Sequence, residues 1–524
     1  MSNRKFCWFM FTVLTLGLLL PQIGFSADKP LVIAFRGDAS RLDPHSRNET
    51  TNSSIVRHFY EPLVQLNQEL KPTPSLATSW KKIDNLTWEF TLRKGVTFQN
   101  GEPFNAAAAK FSIERCKTHP KSQFNYLVPD YEAITVVDDN TLRYKTMKPS
   151  SEMLIMLNFV SMVPPKYFTE WDAKDWTHLN QNPVGTGPYK LVEWVKSEHM
   201  KITAYDKWWG GNVDFPEVTI RPIPEDATRV AALVSGEVDV AWGIPIPDIS
   251  RVERDKGTYV SRVASSRVIY LLFDMFTDKG GAAPEMQPGI EAGTRNPFKD
   301  IRVRKAIAHA INVDEIIKYV MEGSAYPANQ IVTKYVDGYN SSIKKPEYNP
   351  ELSKQLLAEA GYPNGFKFNF DSPNDRYIND QSVTEAIAYQ LRKIGLNPNV
   401  IAQPKAVFFP KISRFESPLY LAGWGTLSWQ ATFSTFYKEM KKGQGRMNRG
   451  RYHDPEMDKR IDVASMEMND KKRQELRGSV AADVDALYYT LPLYAQENVF
   501  GFSNRVVGKA RVDERIYAFD LKKK

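Results

Sequence analysis

Cysteine is nearly absent from this 524-residue chain, which contains only Cys7 and Cys116. Cys7 lies in an N-terminal segment that we expect to be removed, so Cys116 is left without a partner for a disulfide. A large chain without disulfides does not belong to the small, disulfide-stapled class of secreted domains. It must rely on an ordinary hydrophobic core, which a chain of about 500 residues can build.

Long apolar runs are also missing beyond the first 20 residues. Arg4 and Lys5 precede an apolar run of 15 residues, 6–20, and the small residues Gly24 and Ser26 follow it. This layout is typical of a secretory signal peptide, and the run is shorter than the roughly 18 residues of a membrane span. Because Cys7 stands at the start of the run, no lipidated cysteine is expected after cleavage. We predict cleavage after Ser26 and export of residues 27–524 to the periplasm.

Catalytic motifs are lacking as well. The chain has no Gly-x-Ser-x-Gly elbow and no His-Glu-x-x-His pair, and its seven histidines are scattered. The formal net charge of +8 is spread along the chain and does not indicate nucleic-acid binding. We therefore predict a protein that is not an enzyme, with no catalytic residue, metal or cofactor. Carboxylate pairs of glycosidases meet only in space, so an exported hydrolase stays open as an alternative.

Strand-like segments occur along the whole chain. Residues 31–35 (LVIAF) are typical of a buried strand, and Phe366, Phe368 and Phe370 alternate with polar residues as in a half-buried strand. Residues 396–400 resemble an edge strand. Asn100-Gly101 is typical of a hairpin turn.

Helix signals alternate with these strands in the second half of the chain. Asn349 and Pro350 favour a helix start, with Gly361 placed to end that helix. Asp380 is suited to cap the next helix, and Gly395 to stop it. The order strand, helix, strand predicts α/β lobes, and a chain this long predicts two or more of them.

Several segments, taken in order, resemble the family 5 extracellular solute-binding proteins, which carry dipeptides, oligopeptides, nickel chelates and other solutes. The resemblance covers most of residues 30–510. Its segments are 42–44 (LDP), 60–64 (YEPLV), 75–80 (SLATSW), 86–98 (LTWEFTLRKGVTF), 100–101 (NG), 104–106 (FNA), 183–189 (PVGTGPY), 235–239 (SGEVD), 303–307 (VRKAI) and 356–361 (LLAEAG).

This resemblance implies a two-lobed α/β periplasmic-binding-protein fold of the large peptide-carrier type, with an extra subdomain in lobe I. By analogy, lobe I combines residues 27–262 with 495–524 and holds an inserted subdomain at about 61–184. Lobe II spans residues 263–494. Two crossing strands join the lobes, and the solute is enclosed when the lobes close.

The loop at residues 424–429 (WGTLSW) is similar to a Gly-Trp strand end in peptide carriers. Those carriers place an aspartate for the peptide ammonium three residues after the tryptophan, where this chain has Leu427. A buried ammonium without a countercharge is penalised by several kcal/mol. We therefore expect the usual amine anchor to be absent, unless an acid such as Asp375 replaces it. The predicted contacts in this loop are Trp424, Gly425, Thr426, Leu427, Ser428 and Trp429.

A carboxylate clamp is the other half of the predicted site. Dipeptide carriers have an arginine in a loop similar to residues 374–377, and Arg376 would grip a ligand carboxylate through two parallel hydrogen bonds. Asn374 is predicted beside it. Arg47 and Asn48, after the Asp-Pro turn, are predicted as contacts from lobe I. A surface role for Arg376 is the competing interpretation.

The resulting hypothesis is a periplasmic, monomeric binding component of an ABC importer, which captures a peptide or peptide-like solute and delivers it to the permease and ATPase subunits at the inner membrane. The same role for a carboxylated non-peptide or a glycoside is the alternative raised by Leu427. A periplasmic chaperone or a partner of a membrane receptor would show no single small ligand.

Overall fold

The structure is a computed structural model, and it describes residues 29–275, 288–291, 296–441 and 444–524. The predicted signal peptide, residues 1–26, lies outside these ranges. No helix within them is long and apolar enough to span a membrane.

The strands alternate with helices, as the sequence predicts. The strands are β1 (Leu31–Phe35), β2 (Val64–Leu66), β3 (Pro72–Pro74), β4 (Ala77–Lys82), β5 (Thr87–Leu92), β6 (Tyr131–Asp138), β7 (Thr141–Thr146), β8 (Tyr189–Val195), β9 (His199–Ala204), β10 (Glu217–Pro222), β11 (Val240–Trp242), β12 (Thr258–Phe273), β13 (Ala325–Pro327), β14 (Lys367–Pro373), β15 (Asn397–Gln403), β16 (Leu419–Gly425), β17 (Thr490–Ser503), β18 (Val506–Val507) and β19 (Lys522–Lys523).

The helices pack on both sides of these strands. They are α1 (Thr50–Val56), α2 (Ala106–Thr118), α3 (Met153–Leu157), α4 (Pro165–Lys174), α5 (Asp226–Val234), α6 (Ile249–Arg254), α7 (Ile301–Ala310), α8 (Val313–Tyr319), α9 (Pro350–Glu359), α10 (Asp380–Arg392), α11 (Lys405–Ser413), α12 (Trp429–Phe436), α13 (Pro455–Met466) and α14 (Asp470–Ala486). Short 3₁₀ turns occupy Asn125–Leu127, Trp176–Asn180, Ile246–Asp248, Pro297–Lys299 and Ala518–Asp520.

One large sheet runs through the molecule in the order β15-β14-β16-β12-β17-β11-β1-β10-β9-β8, with β13 added beside β17. We call β11, β1, β10, β9 and β8 with their covering helices the N-terminal half, and β16, β14 and β15 with theirs the C-terminal half. The long antiparallel pair β12 and β17 lies between the halves and belongs to both. The predicted lobe boundaries, 262/263 and 494/495, fall inside these two strands.

Each half has its own hydrophobic core. In the N-terminal half, Leu31, Ile33 and Phe35 of β1 are fully buried. In the C-terminal half, Phe370 of β14 and Leu421 of β16 are fully buried. Two separate cores joined by two strands are what a molecule with two lobes requires.

A third core belongs to an inserted subdomain, which we define as the sheet β4-β5-β7-β6 with α2 and α3 packed on it. Its centre includes Phe90 of β5 and Tyr144 of β7, both fully buried. Cys116 of α2 is also buried here, and burial raises the pKa of its thiol to about 12. The strands and helices of the subdomain, residues 77–157, lie within the segment 61–184, whose assignment as an insertion in lobe I stays a prediction.

The glycine-rich segment 183–189 joins the subdomain to the N-terminal half through very close backbone packing. The Gly187 N–H donates to the Phe59 carbonyl oxygen at 2.9 Å. A β-carbon at Gly185 or Gly187 would collide with the main chain of Phe59. Only glycine permits this approach, which explains the two glycines of the motif.

Candidate functional site

The candidate site lies where parallel strands of the two halves end. In the N-terminal half, β1 pairs in parallel with β10 and β11, and in the C-terminal half β14 pairs in parallel with β15 and β16. Ligands of open α/β sheets bind outside the carboxyl ends of such strands. Arg36 directly follows β1, Gly243 follows β11, and residues 375–379 come shortly after β14. All of them line one cavity of about 370 Å³, which we call the inner chamber.

The floor of the inner chamber is formed by the strands that join the halves. Residues 496–500 of β17 and Arg267 of β12 line it, together with Glu514. Arg267 donates two hydrogen bonds to Glu514, from Nε to Oε1 at 3.0 Å and from Nη2 to Oε2 at 3.2 Å. This pairing lowers the pKa of the Glu514 carboxyl despite its burial. Arg267 is therefore already neutralised by the protein.

The loop that carries Arg376 is fixed on both sides. The N–H groups of Arg376 and Tyr377 donate to Asp380 Oδ2, at 3.1 and 2.9 Å. The Tyr377 hydroxyl donates to the Gly423 carbonyl at 3.1 Å. The Arg376 guanidinium lies 5.2 Å from the centroid of the Tyr377 ring. Arg376 is thus held at the chamber by a rigid loop and not by an ion pair.

Arg376 is exposed to solvent in the chamber, yet the surrounding protein desolvates its guanidinium enough to lower its pKa, and the nearby positive charge of Arg267 lowers it further. An arginine remains charged at neutral pH all the same. Within the ranges that the structure describes, its guanidinium has no hydrogen-bond or ion-pair partner. The predicted carboxylate-binding arginine therefore lines the chamber and is free to bind an anion. Asn374 is exposed at the start of the loop and lies outside the chamber lining.

The loop after β16 is divided between two environments. Gly425 is exposed and lies opposite Arg267 in the register of β16 and β12. Trp424 is half-buried; its Nε1 donates to Thr432 Oγ1 at 3.1 Å, and its ring packs against Phe436. Trp424 is thus a wall of the C-terminal half.

Thr426, Ser428 and Trp429 have partners within the protein, and their predicted contacts with a solute stay predictions. Ser428 caps α12 by accepting the Ala431 N–H at 2.9 Å, and Thr426 Oγ1 donates to the Ser428 carbonyl at 2.9 Å. Trp429 is completely buried, stacked on Phe433 with ring centroids 4.1 Å apart. Its side chain offers no surface to a solute in this arrangement. A ligand contact by Trp429 remains only a sequence prediction.

Leu427 does not line the inner chamber. It lines a second cavity of about 490 Å³, which we call the outer chamber, between the inserted subdomain and the C-terminal half. Trp80 and Trp88 of the subdomain and Tyr335 of the C-terminal half also line it. The position at which peptide carriers have their amine-binding aspartate therefore lines the outer chamber in this chain. Asp375, the possible replacement, lines the inner chamber.

Arg47 and Asn48 lie in neither chamber. Arg47 pairs with Glu49, and Asn48 Nδ2 donates to the Tyr126 hydroxyl at 3.0 Å. Arg446 of the C-terminal half lies over the Tyr126 ring at 4.7 Å. Tyr126 thus links Asn48 to the opposite half, and the predicted role of Arg47 and Asn48 as solute contacts stays a prediction.

Sequence reasoning missed Arg36 and Glu152. Arg36 is a charged residue immediately after a fully buried strand, a pattern that could have marked it as a strand-end residue. Glu152 carries no such signal, since its partners come from distant parts of the chain. The structure brings Arg36, Arg267 and Arg376 together and leaves Leu427 apart from them.

The sequence profile of the family "Bacterial extracellular solute-binding proteins, family 5 Middle" matches residues 71–444. The chain is 26% identical over 509 residues to the glutathione-binding protein GsiB of Salmonella choleraesuis, an alignment that covers 94% of both chains. It is 25% identical to the periplasmic binding protein DppA of Helicobacter pylori, solved with the peptide STSA, with a TM-score of 0.76 over 94% of this chain and 98% of that one. The substrate-binding protein CtaP of Listeria monocytogenes, 20% identical, has a TM-score of 0.82 over 94% of this chain and 99% of that one. The predicted two-lobed fold is confirmed.

Proposed function

The chain belongs to the bacterial extracellular solute-binding proteins of family 5, and from this premise we propose that it is the periplasmic binding component of an ABC importer. It encloses a peptide or peptide-like solute between its lobes and delivers the solute to the permease and ATPase subunits at the inner membrane. Residues 27–524 act as a soluble monomer after removal of the signal peptide. The protein binds its solute without converting it.

The chemical class of the solute is inferred from one observation. The Arg376 guanidinium lines a cavity at the carboxyl ends of parallel strands and has no hydrogen-bond or ion-pair partner in the described ranges. A guanidinium in a partly enclosed site binds a carboxylate through two parallel, charge-assisted hydrogen bonds. The solute is therefore a carboxylate, which every free peptide is. Glutathione and the peptide STSA, the ligands of two relatives, are carboxylates too.

The solute's amine contributes less than its carboxylate. The residue in the position of the family's amine anchor is Leu427, and it lines the outer chamber. In the inner chamber, Asp375 accepts the Lys405 N–H at 2.6 Å and Glu497 accepts the Tyr326 hydroxyl at 2.9 Å. Glu497 also pairs with Arg262, at 3.6 Å, whereas Asp375 keeps its negative charge, because an N–H donor does not neutralise a carboxylate. Because the position of the amine anchor holds Leu427, a carboxylated solute without an amine is the second candidate for the same chamber.

The proposal is tested by a thermal-shift screen of residues 27–524 with free dipeptides, glutathione, amine-free carboxylates and short glycosides. A solute present at 100 times its Kd adds about 2.7 kcal/mol of stability. Carboxylates should stabilise the protein, whereas glycosides should not. Arg376→Gln should remove the shift, and Arg254→Gln, which changes an exposed arginine of α6, should preserve it.

Chromatography of each stabilising solute after incubation separates a carrier from a hydrolase. A carrier returns its solute unchanged and binds it in a fixed ratio. Loss of solute with time would contradict the carrier function. Stabilisation by glycosides alone, unaffected by Arg376→Gln, would contradict the carboxylate assignment.

A further inference from the structure

Arg36 is a second arginine that lines the inner chamber; it is exposed to solvent and lies on the half opposite to Arg376. It follows β1 of the N-terminal half, whereas Arg376 follows β14 of the C-terminal half. Its guanidinium lies directly against Gly243, whose φ is +80°. A β-carbon at Gly243 would overlap the guanidinium, so the glycine leaves the space that Arg36 occupies.

Among the described residues, no carboxylate that lines the chamber forms an ion pair with Arg36. Glu514 pairs with Arg267, Asp226 with Arg229 of α5, and Glu497 with Arg262. The charges of Asp226 and Glu514 still attract Arg36 and partly offset the desolvation and the charge of Arg229, which lower its pKa. Across the described parts of the chain, the Arg36 guanidinium has neither a hydrogen bond nor an ion pair.

We propose that Arg36 is a specificity-determining residue that binds a second acidic group of the solute. This inference rests on the proposed carrier function and narrows its substrate class to peptide-like solutes with two carboxylates. Arg376 binds one carboxylate and Arg36 the other. A cavity of about 370 Å³ is within the usual range for a small-molecule site.

This arrangement also explains how such a solute favours closure of the lobes. Two guanidinium groups from opposite halves border one cavity. A dianion contacts both arginines only when the halves are together. It therefore binds the closed arrangement better than the open one, which is the condition for a ligand to shift that equilibrium.

Calorimetric titration with Ala-Glu and Ala-Gln tests the inference, because the two dipeptides differ only in one side-chain carboxylate. The parent protein should bind Ala-Glu about tenfold or more tightly than Ala-Gln, since a hydrogen bond to a charged group supplies that much. Arg36→Gln should abolish the preference and leave the affinity for Ala-Gln within about twofold. Arg376→Gln should weaken both dipeptides.

A second variant distinguishes a lost contact from a loss of folding. Arg36→Glu reverses the charge and should favour Ala-Lys over Ala-Glu, which a partly unfolded protein would not do. Gly243→Ala, which is strained at a φ of +80°, should displace the Arg36 guanidinium and reduce the preference for Ala-Glu in the same direction as Arg36→Gln. An Arg36→Gln protein that keeps its preference for Ala-Glu, or that loses affinity for both dipeptides equally, would overturn the inference.

Failure of the carrier proposal is recognised separately. If neither dipeptide binds the parent protein, glutarate serves as the smallest probe that presents two carboxylates. Stabilisation of the parent protein by glutarate that is lost in Arg36→Gln would support the site for two carboxylates. It would also exclude a peptide as the solute. No stabilisation by glutarate would overturn both proposals.

Discussion

Glu152 and Arg477 form a buried ion pair between the inserted subdomain and the C-terminal half. Glu152 Oε1 lies 3.0 Å from Arg477 Nη1, and the two side chains are 5% and 0% exposed. Glu152 also accepts the Ser428 hydroxyl and, at 3.2 Å, the Gln430 N–H at the start of α12. Arg477 donates to Ser151 Oγ at 2.9 Å. One carboxylate thus fastens the N-terminus of α12 to the opposite lobe.

Glu152→Gln should weaken solute binding, because these contacts exist only when the lobes are together. Arg477 keeps Asp337 as a partner, at 2.9 Å, so the loss is smaller than for an isolated buried pair. We expect a cost of about 1–3 kcal/mol, or about 5- to 150-fold in Kd. Calorimetry measures this change. Small-angle scattering should show a larger radius of gyration for the solute-free variant.

The matched control is Glu170→Gln, which removes an exposed carboxylate that pairs with Lys174 on α4. It should leave both Kd and the radius of gyration unchanged. An unchanged Kd for Glu152→Gln would show that the ion pair does not favour closure.

N-acetylation of a bound dipeptide should raise its Kd less than about tenfold, whereas amidation of its C-terminal carboxylate should raise Kd by tenfold or more. The reason is that Leu427 offers no charge to the ammonium, while Arg376 lacks a protein partner in the described ranges. Calorimetric titration of one dipeptide in its free, acetylated and amidated forms measures both effects. Loss of binding on acetylation alone would mean that an acid has replaced the missing anchor.

Asp485→Asn should stabilise the protein at neutral pH. Desolvation raises the pKa of Asp485 in α14 from 3.8 to about 6. The folded state therefore holds its proton up to a higher pH than the unfolded state, and stability falls as the pH rises from about 4 to 6. Above pH 6 the charged carboxylate costs up to about 3 kcal/mol. The asparagine variant should raise Tm at pH 7.5 by a few degrees and leave Tm at pH 4 unchanged. Equal shifts at both pH values would contradict the explanation.

Gly187→Ala should destabilise the junction between the subdomain and the N-terminal half by about 1–3 kcal/mol, because its β-carbon overlaps the Phe59 main chain. Chemical unfolding measures the change. Gly37→Ala is the control, since a β-carbon there meets no atom within 4 Å. Equal stability of the two variants would show that the backbone at Phe59 can move aside.

Local signals in the sequence predicted the elements near the site well. Asn349 Oδ1 caps α9 by accepting the Leu352 N–H, and Gly361, with φ of +92°, follows the helix. The predicted edge strand is β15, at the end of the sheet. The predicted N-cap of α10 was wrong: Asn379 is the N-cap residue, and Asp380 is the first helical residue.

The candidate site was predictable only in part, for a physical reason. Arg376 stands out because its loop resembles that of a known family. Arg36 could be marked only as a strand-end residue, because its place in the same chamber as Arg376 depends on the fold. The partners of Glu152 are distant in sequence, and no local pattern reports such a pairing. The assignment of Leu427 to a chamber of its own also depends on how the subdomain packs against the C-terminal half.

The pairing of β12 with β17 has a consequence for how such carriers diversify. Ala264 and Glu497 are register partners on these adjacent antiparallel strands, so the segment between them leaves and re-enters the N-terminal half at neighbouring points. A segment whose two ends lie side by side can be exchanged between homologous chains without a new linker. Recombination at these two strands would transfer Arg376, its loop and Leu427 of the outer chamber together as one segment. Arg36, which precedes β12, would still come from the chain that receives the segment.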